Sequence, residues 1–314
     1  MKACSGKKFS KSLAGAATFA WLLTGGFGAG QFPAAVEAAP IETAAQANQS
    51  NEGWYWLSSD EKYSKFFDPH SVVTIRATNT EHGKVATCIQ AWTKTGYDYA
   101  GAKETIDSYG ISAVVPNPAQ LAYSYAQVEV NPQNRTIQYL KEDFYDPQGK
   151  VLYSRTAGRV KEVNSQEFDE AFYTAIVDAV FRQGEMKRAA AEDRWITLWE
   201  NTVNGITTKV TADTTTMRMK GQNMIVWTWE EVKNAQGGVL EIKFMKKAVN
   251  LPQGTERVVK GEYWSSKGGW QAMEDEYDGA YRMIKESSPE YKGLERLRAF
   301  ATGYSSWVNR YSLD

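Results

Sequence analysis

The stretch Phe144-Tyr-Asp-Pro-Gln-Gly-Lys-Val-Leu-Tyr153 decides the fold class. Pro147 fixes one turn dihedral, Gly149 supplies a positive one, and apolar or aromatic residues flank both sides, which is the pattern of a β-hairpin. Asn234-Ala-Gln-Gly-Gly238 repeats that chemistry between the strand-like runs 225–233 and 239–245. Working outward, residues 71–76, 84–94 and 122–130 are rich in Val, Ile, Tyr, Trp and Thr, and several alternate with the period of a half-buried strand. Two segments have helical periodicity instead. Asn164 and Glu167 can form a capping box ahead of the stripe Phe168, Phe172, Ile176 and Val180. Ser287 and Glu290 can form another, with Pro289 in the first turn, ahead of Tyr291, Leu294, Leu297, Ala301, Tyr304 and Val308. Strand runs each closed by one helix predict an α+β protein of twisted antiparallel sheets.

These landmarks occur twice in the same order. The first set opens at Trp56, passes Asp68-Pro-His-Ser71 and a strand ending at Trp92, then Val130-Asn-Pro-Gln-Asn-Arg135, the hairpin at Tyr145 and the helix after Asn164. The second opens at Trp195, passes Asp213-Thr-Thr215 and a strand holding Trp227 and Trp229, then Val249-Asn-Leu-Pro-Gln-Gly-Thr-Glu-Arg257, the aromatic stretch at Tyr263 and Trp264, and the helix after Ser287. The expected organisation is therefore two tandem domains, 53–183 and 195–314. Residues 184–194 join them, charged and Ala-rich, as a helical extension or a loose linker. The first domain carries extra residues between Gly96 and Gln120, including a short helix over 100–109 stopped by Gly110. A long insertion in one copy is a natural place for specialised function.

The tryptophan openings, the Asp with a small polar residue before a Trp-bearing strand, and the closing helix resemble the surface-adhesin E-like domain of diderm bacteria. They are also similar to tandem-copy envelope proteins of anaerobic diderm Firmicutes. That resemblance spans nearly all of 54–311. It implies an antiparallel sheet with a helix packed on it, in a family whose best-known members bind host extracellular proteins.

The first residues carry Lys2, Lys7, Lys8 and Lys11 and no acid, followed by an apolar run from Leu13 to Leu23 and a small-residue stretch ending at Ala38. This order predicts a signal peptide over 1–38, cleaved after Ala38, and an exported protein. The run is shorter than the about 20 residues a membrane span needs. Residues 39–52 are small and polar and read as a flexible leader. Cleavage leaves Cys88 as the sole cysteine, in a strand-like run, so the fold rests on its core and the thiol is an apolar filler. Of 36 basic and 37 acidic residues, 32 and 36 remain after cleavage, a net charge of −4. That balance argues against nucleic acid or an anionic membrane as the main partner.

No catalytic constellation stands out. Two histidines, His70 and His82, are too few for a zinc site, so Asp68 is read as a turn cap, as is Asp213 in the matching place. Glu230-Glu231 point to opposite faces of a strand, and Glu274-Asp-Glu276 reads as a solvated turn. No cofactor or metal is expected. The distinctive feature is aromatic content, with 11 Trp, 17 Tyr and 12 Phe. Rings embedded in strands, Trp92, Trp227 and Trp229, are expected in the core. Rings near turns, Tyr97, Tyr99, Trp264 and Trp270, are the candidate binding residues. The leading expectation is a non-enzymatic binding protein whose partner is an envelope or extracellular protein or polysaccharide. A carboxylate-dependent glycan hydrolase and a self-assembling structural module are the alternatives.

Overall fold

The computed structural model describes residues 53–273 and 279–313. The expected signal peptide, the leader and the acidic triplet Glu274-Asp-Glu276 lie outside the described residues. The fold is α+β, with every strand pairing antiparallel. The first sheet sets β1 (Tyr55–Ser59), β2 (Tyr63–Thr80), β3 (Gly83–Tyr97), β4 (Tyr123–Asn131), β5 (Thr136–Tyr145) and β6 (Val151–Thr156) side by side in chain order, with β7 (Lys161–Glu162) on β5. The second contains β8 (Trp195–Val203), β9 (Ile206–Asp213), β10 (Arg218–Lys220), β11 (Asn223–Lys233), β12 (Val239–Asn250), β13 (Thr255–Ser265), β14 (Gly269–Ala272) and β15 (Arg282–Met283). Its order is β8-β9-β11-β12-β13-β14, with β10 on β11 and β15 on β13. Both predicted hairpin turns form. Gly149 sits at φ +83° and Gly237 at φ +80°, where a side chain would be strained. Among the described residues no helix is long and apolar enough to cross a membrane.

In the insertion, α1 (Tyr99–Tyr109) starts where the Asp98 carboxylate accepts the Gly101 N–H at 2.6 Å and stops at Gly110, φ +65°. α2 (Glu170–Phe181) begins later than Asn164 predicts. The Asn164 side chain takes the Gln166 N–H at 2.8 Å in a separate turn. The residue that opens the helix, Asp169, spends its carboxylate on the Tyr139 hydroxyl at 2.5 Å and on Lys161 at 3.4 Å. Phe168 consequently falls outside the helix, with the Lys65 ammonium 3.9 Å above its ring. α3 (Glu185–Ala189) follows, and α4 (Pro289–Gly303) starts after Ser288 rather than Ser287, without a side-chain cap bond. The chain breaks at the exposed Tyr304 and resumes as α5 (Ser305–Val308), which returns Val308 to the core.

Each sheet buries one face under a helix. Ile89, Val128, Val130 and Ile137 pack with Phe172, Ile176 and Val177 of α2. Val210, Ala212, Met224 and Val226 pack with Leu294, Leu297 and Phe300 of α4. A side chain of this size, fully buried, contributes about 1.5–3 kcal/mol. Cys88 is buried in β3, and burial pushes its thiol up to about 11, in keeping with a packing role.

The two sheets also share fine detail. The Asp68 carboxylate accepts the His70 N–H at 2.8 Å, while the Ser71 hydroxyl donates to the Asp68 carbonyl at 2.7 Å and accepts the Trp92 N–H at 2.8 Å. In the second sheet Asp213 accepts from Thr215 N–H at 3.0 Å, and Thr216 donates to the Asp213 carbonyl at 2.8 Å and accepts the Trp227 N–H at 2.9 Å. Asn131 accepts the Asn134 N–H at 2.8 Å and Asn250 the Gln253 N–H at 2.9 Å, each opening a hairpin. Each of these turns closes on a residue at positive φ, Arg135 (+54°) and Gly254 (+65°). Bulges recur at Leu140 and Val259, which pairing skips, and at Leu57 and Leu198. Aligning the last pair makes Trp195 the counterpart of Trp54, two residues before the Trp56 picked from sequence.

Residues 184–194 form α3 and a short 3₁₀ turn rather than a loose linker. Asp178 of α2 accepts the N–H groups of Gly184, Glu185 and Met186 at 2.7–3.0 Å, fixing the start of α3. The Glu185 carboxylate, fully buried, takes Arg310 Nε at 2.7 Å and the Tyr311 hydroxyl. Glu170 of α2 meets both Arg135 (2.9 Å) and Arg194 (2.6 Å), and Arg194 also pairs with Asp213 at 3.0 Å. Tyr311, beyond the second sheet's helix, packs into the first sheet's core.

Candidate functional site

Alternation along β11 sends Met224 and Val226 toward α4 and Trp227 and Trp229 to the opposite, outward face. Register extends that face across the neighbouring strands. Trp229 stands opposite Phe244, Ile242 opposite Trp264, and Trp264 opposite Trp270. The rings touch: Trp227 stacks on Phe244 at 4.6 Å, Trp229 lies 5.9 Å from Phe244, and Trp229 meets Trp270 edge-on at 5.9 Å. Spacings of this kind are those of favourable aromatic pairs. The face has a closed and an open end. At the closed end Trp227 is buried, with the Lys260 ammonium 5.3 Å from its ring. There Glu162 of β7 reaches across to Lys246 at 2.8 Å and Lys260 at 3.0 Å. At the open end Trp229, Trp264 and Trp270 are partly exposed. They are held by a rigid sheet rather than by a loop, which suits them to bind a flat partner at low entropic cost.

The candidate rings therefore part company. Trp264 and Trp270 are adjacent, and Trp229, expected in the core, joins them because it lies on the face without a helix. Trp92 occupies the corresponding face of the first sheet and is half-exposed, also outside the helix-packed core. Tyr97, expected near the surface, is buried beneath α1. It ends a strand flanked on both sides, and the insertion folds back over it. Its hydroxyl meets Ser124 Oγ at 2.7 Å; Ser124 donates to Glu142 at 3.1 Å; Arg155 donates to Glu142 at 2.7 Å and to the Tyr109 hydroxyl at 2.7 Å. Burial pushes the Tyr97 phenol well above its ordinary value and raises the Glu142 carboxyl against the pull of Arg155. This chain of bonds pins α1 to the sheet. Tyr99, in the first turn of α1, is 62% exposed and stands apart from the tryptophans in sequence and in fold.

The first sheet's outward face is aromatic too. Trp54 stacks on Tyr125 at 5.1 Å, and Tyr123 on Tyr145 at 4.9 Å. The Lys94 ammonium lies 5.5 Å from the Phe66 and Tyr123 rings and 5.8 Å from Tyr125. Burial pulls the Lys94 ammonium below its ordinary pKa, and an ammonium facing ring π-clouds is favourable. The period-two spacing of Tyr123 and Tyr125, two residues apart on β4, was the available signal for this set.

Asp68 acts through the turn bonds described above, and His82 sits in the β2–β3 turn, its N–H bonded to Thr80. Among the described residues no group of three His, Cys, Asp or Glu could hold a metal. Glu231 faces Lys233 at 2.5 Å, and Glu230 faces Lys243 at 3.7 Å, a lysine it shares with Glu241 at 3.1 Å. Compared with known proteins, the chain matches no family model, and no curated protein matches it.

Proposed function

We propose that this chain is an exported, non-enzymatic envelope or surface protein built from two tandem copies of an adhesin-E-like α+β unit, 53–183 and 195–314, and that its work is binding. The shared strand order, the matching Asp–Ser/Thr–Trp bonds and the matching bulges support descent of both halves from one unit. The observation that carries the binding reading is the cluster of partly exposed Trp229, Trp264 and Trp270 on a face that no helix covers among the described residues. Large rigid rings supply contact area to a sugar ring or to a protein side chain while losing little conformational freedom.

The test is capture of partners by residues 39–314 from envelope extract, purified surface polysaccharide and host extracellular proteins. Saturable capture from one pool is expected. Trp264→Ala with Trp270→Ala should weaken it about tenfold or more, since each lost aromatic contact is worth about 0.5–1.5 kcal/mol. Capture by the double variant equal to wild type would remove the platform from the reading. Export has its own test: the protein recovered outside the cytoplasm should begin at Ala39, and retention of the intact N-terminus in the cytoplasm would refute it.

A further inference from the structure

A cavity of about 410 Å³ lies where the β4–β5 turn, β10 and the segment after α5 come together. Its described lining carries two charged residues, Arg218 and Lys220, and both are positive. Arg218 is 6% exposed, yet among the described residues it pairs with no carboxylate. Its terminal nitrogens reach the carbonyls of Thr216 and Asn134 at 3.4 and 3.5 Å, the long limit of a hydrogen bond, and its Nε has no partner. Beside it, the buried Gln133 Oε1 is also unpartnered. A buried charge left in this state is costly, and native proteins ordinarily pair it.

The neighbouring arginines do have acids: Arg135 and Arg194 share Glu170, and Arg310 holds Glu185. Among the described residues Arg218 is the surplus cation of the cluster. Burial above all, with Arg135 and Arg310 adding to it, pulls Arg218 down to about 10 against the opposing influence of Tyr173 and Glu162. At the mouth of the cavity Lys220, among the described residues, reaches a neutral partner, Asn134 Oδ1, at 3.0 Å. The volume is that of a small-molecule site. Val308 and Leu313 give one wall apolar character, while Asn131, Asn134 and Thr87 offer further polar groups.

We infer that this cavity binds a small oxyanion-bearing molecule, a carboxylate or a phosphate, gripped by the buried Arg218 and by Lys220 at the mouth. A guanidinium with free N–H groups meets either oxyanion in its own plane, and Lys220 adds a point charge.

The test titrates the protein, residues 39–314, with inorganic phosphate and separately with citrate, holding ionic strength constant with chloride. Calorimetry and thermal unfolding provide the readouts. Saturable heat and a matching rise in Tm are expected for at least one anion, and which one responds tells phosphate from carboxylate recognition. Lys220→Met, at an exposed position, should weaken binding about tenfold, the loss of one charge-assisted contact, and Arg218→Met should abolish it. Lys150→Met, in the distant β5–β6 turn, should bind as wild type does. Should Arg218→Met not fold, Lys220→Met alone decides. No saturable response to either anion, a response equal to that of chloride, or unchanged affinity in Lys220→Met would overturn the proposal.

Discussion

The first sheet packs its outward face with its own rings, Trp54 on Tyr125 and Tyr123 on Tyr145, around a buried lysine. On the second sheet the matching face ends in Trp229, Trp264 and Trp270, which are partly buried like Trp54, Tyr125 and Tyr145. The contrast therefore lies in ring type and in the residue set among the rings rather than in exposure. The frameworks beneath share the turn bonds and bulges described above, although the first sheet also carries the α1 insertion and one long β2 where the second has β9 and β10. Two residues beyond the tryptophan held by Ser71 stands Lys94; two beyond the one held by Thr216 stands Trp229. A second contrast sits at the hairpin turns. Gly254 adopts φ +65° freely, whereas Arg135 takes φ +54° at a cost of about 1–2 kcal/mol. In exchange its buried guanidinium reaches Val163 and Thr215 carbonyls and Glu170, tying the first sheet to the second. The first sheet's turn thus joins the two sheets, and the proposed display of binding rings belongs to the second.

The join offers the largest effect. Glu185→Ala strands Arg310, whose side chain is 2% exposed, without its counter-ion. The expected loss is about 3–5 kcal/mol in denaturant unfolding, with both sheets melting in one transition. Two separated transitions in the wild type would mean the halves are independent bodies. Next in size are the paired hydroxyls. Thr216→Val leaves the Trp227 N–H unpartnered in a buried setting and should cost about 1–3 kcal/mol. Ser71→Ala at the equivalent, partly exposed place should cost less, because water can replace the hydroxyl. Equal losses would break the contrast between the two copies.

Smaller still is the turn. Gly254→Ala should cost about 1–2 kcal/mol, since a Cβ there is disfavoured by φ and lies 3.3 Å from Leu294 Cδ2. The least effect belongs to Glu162. Its burial opposes ionisation, but Lys246 and Lys260 together outweigh it and hold the carboxyl below the ordinary value of 4.5. A depressed acid stabilises the fold above its unfolded value and loses that contribution as pH falls through the folded one. Lys246 is itself pulled down by burial, which keeps the pair modest. Glu162→Gln should therefore lower stability by under about 1 kcal/mol at pH 7, and the gap to wild type should close below pH 4.5. A gap that persists at lower pH would assign the effect to packing.

Much of the framework was legible because turns and caps are local chemistry. Pro147, Gly149, Asn234 and Gly110 each act within a few residues, and the Asp68 and Asp213 turns announced themselves by recurring. The start of α2 was misjudged because Asn164 spends its side chain on a separate turn at Gln166, and the helix opens instead at Asp169, whose carboxylate Tyr139 and Lys161 hold. The candidate rings were sorted only in part. Proximity to a turn marked Trp264 and Trp270 but also marked Tyr97, which a distant insertion covers. Trp229 has the strand signature of a core residue, and alternation alone does not say which of a sheet's two faces receives the helix. The surplus of Arg218 depends on how the two halves meet and has no trace in local sequence.

The measurement that reaches the central claim most directly is partner capture by matched pairs of variants, Trp264→Ala with Trp270→Ala on the second sheet and Trp54→Ala with Tyr125→Leu on the first. Loss of capture from the second-sheet pair alone, with both proteins folded by circular dichroism, is the expected result. Loss from the first-sheet pair alone, or from neither, would contradict the assignment of display to the second sheet.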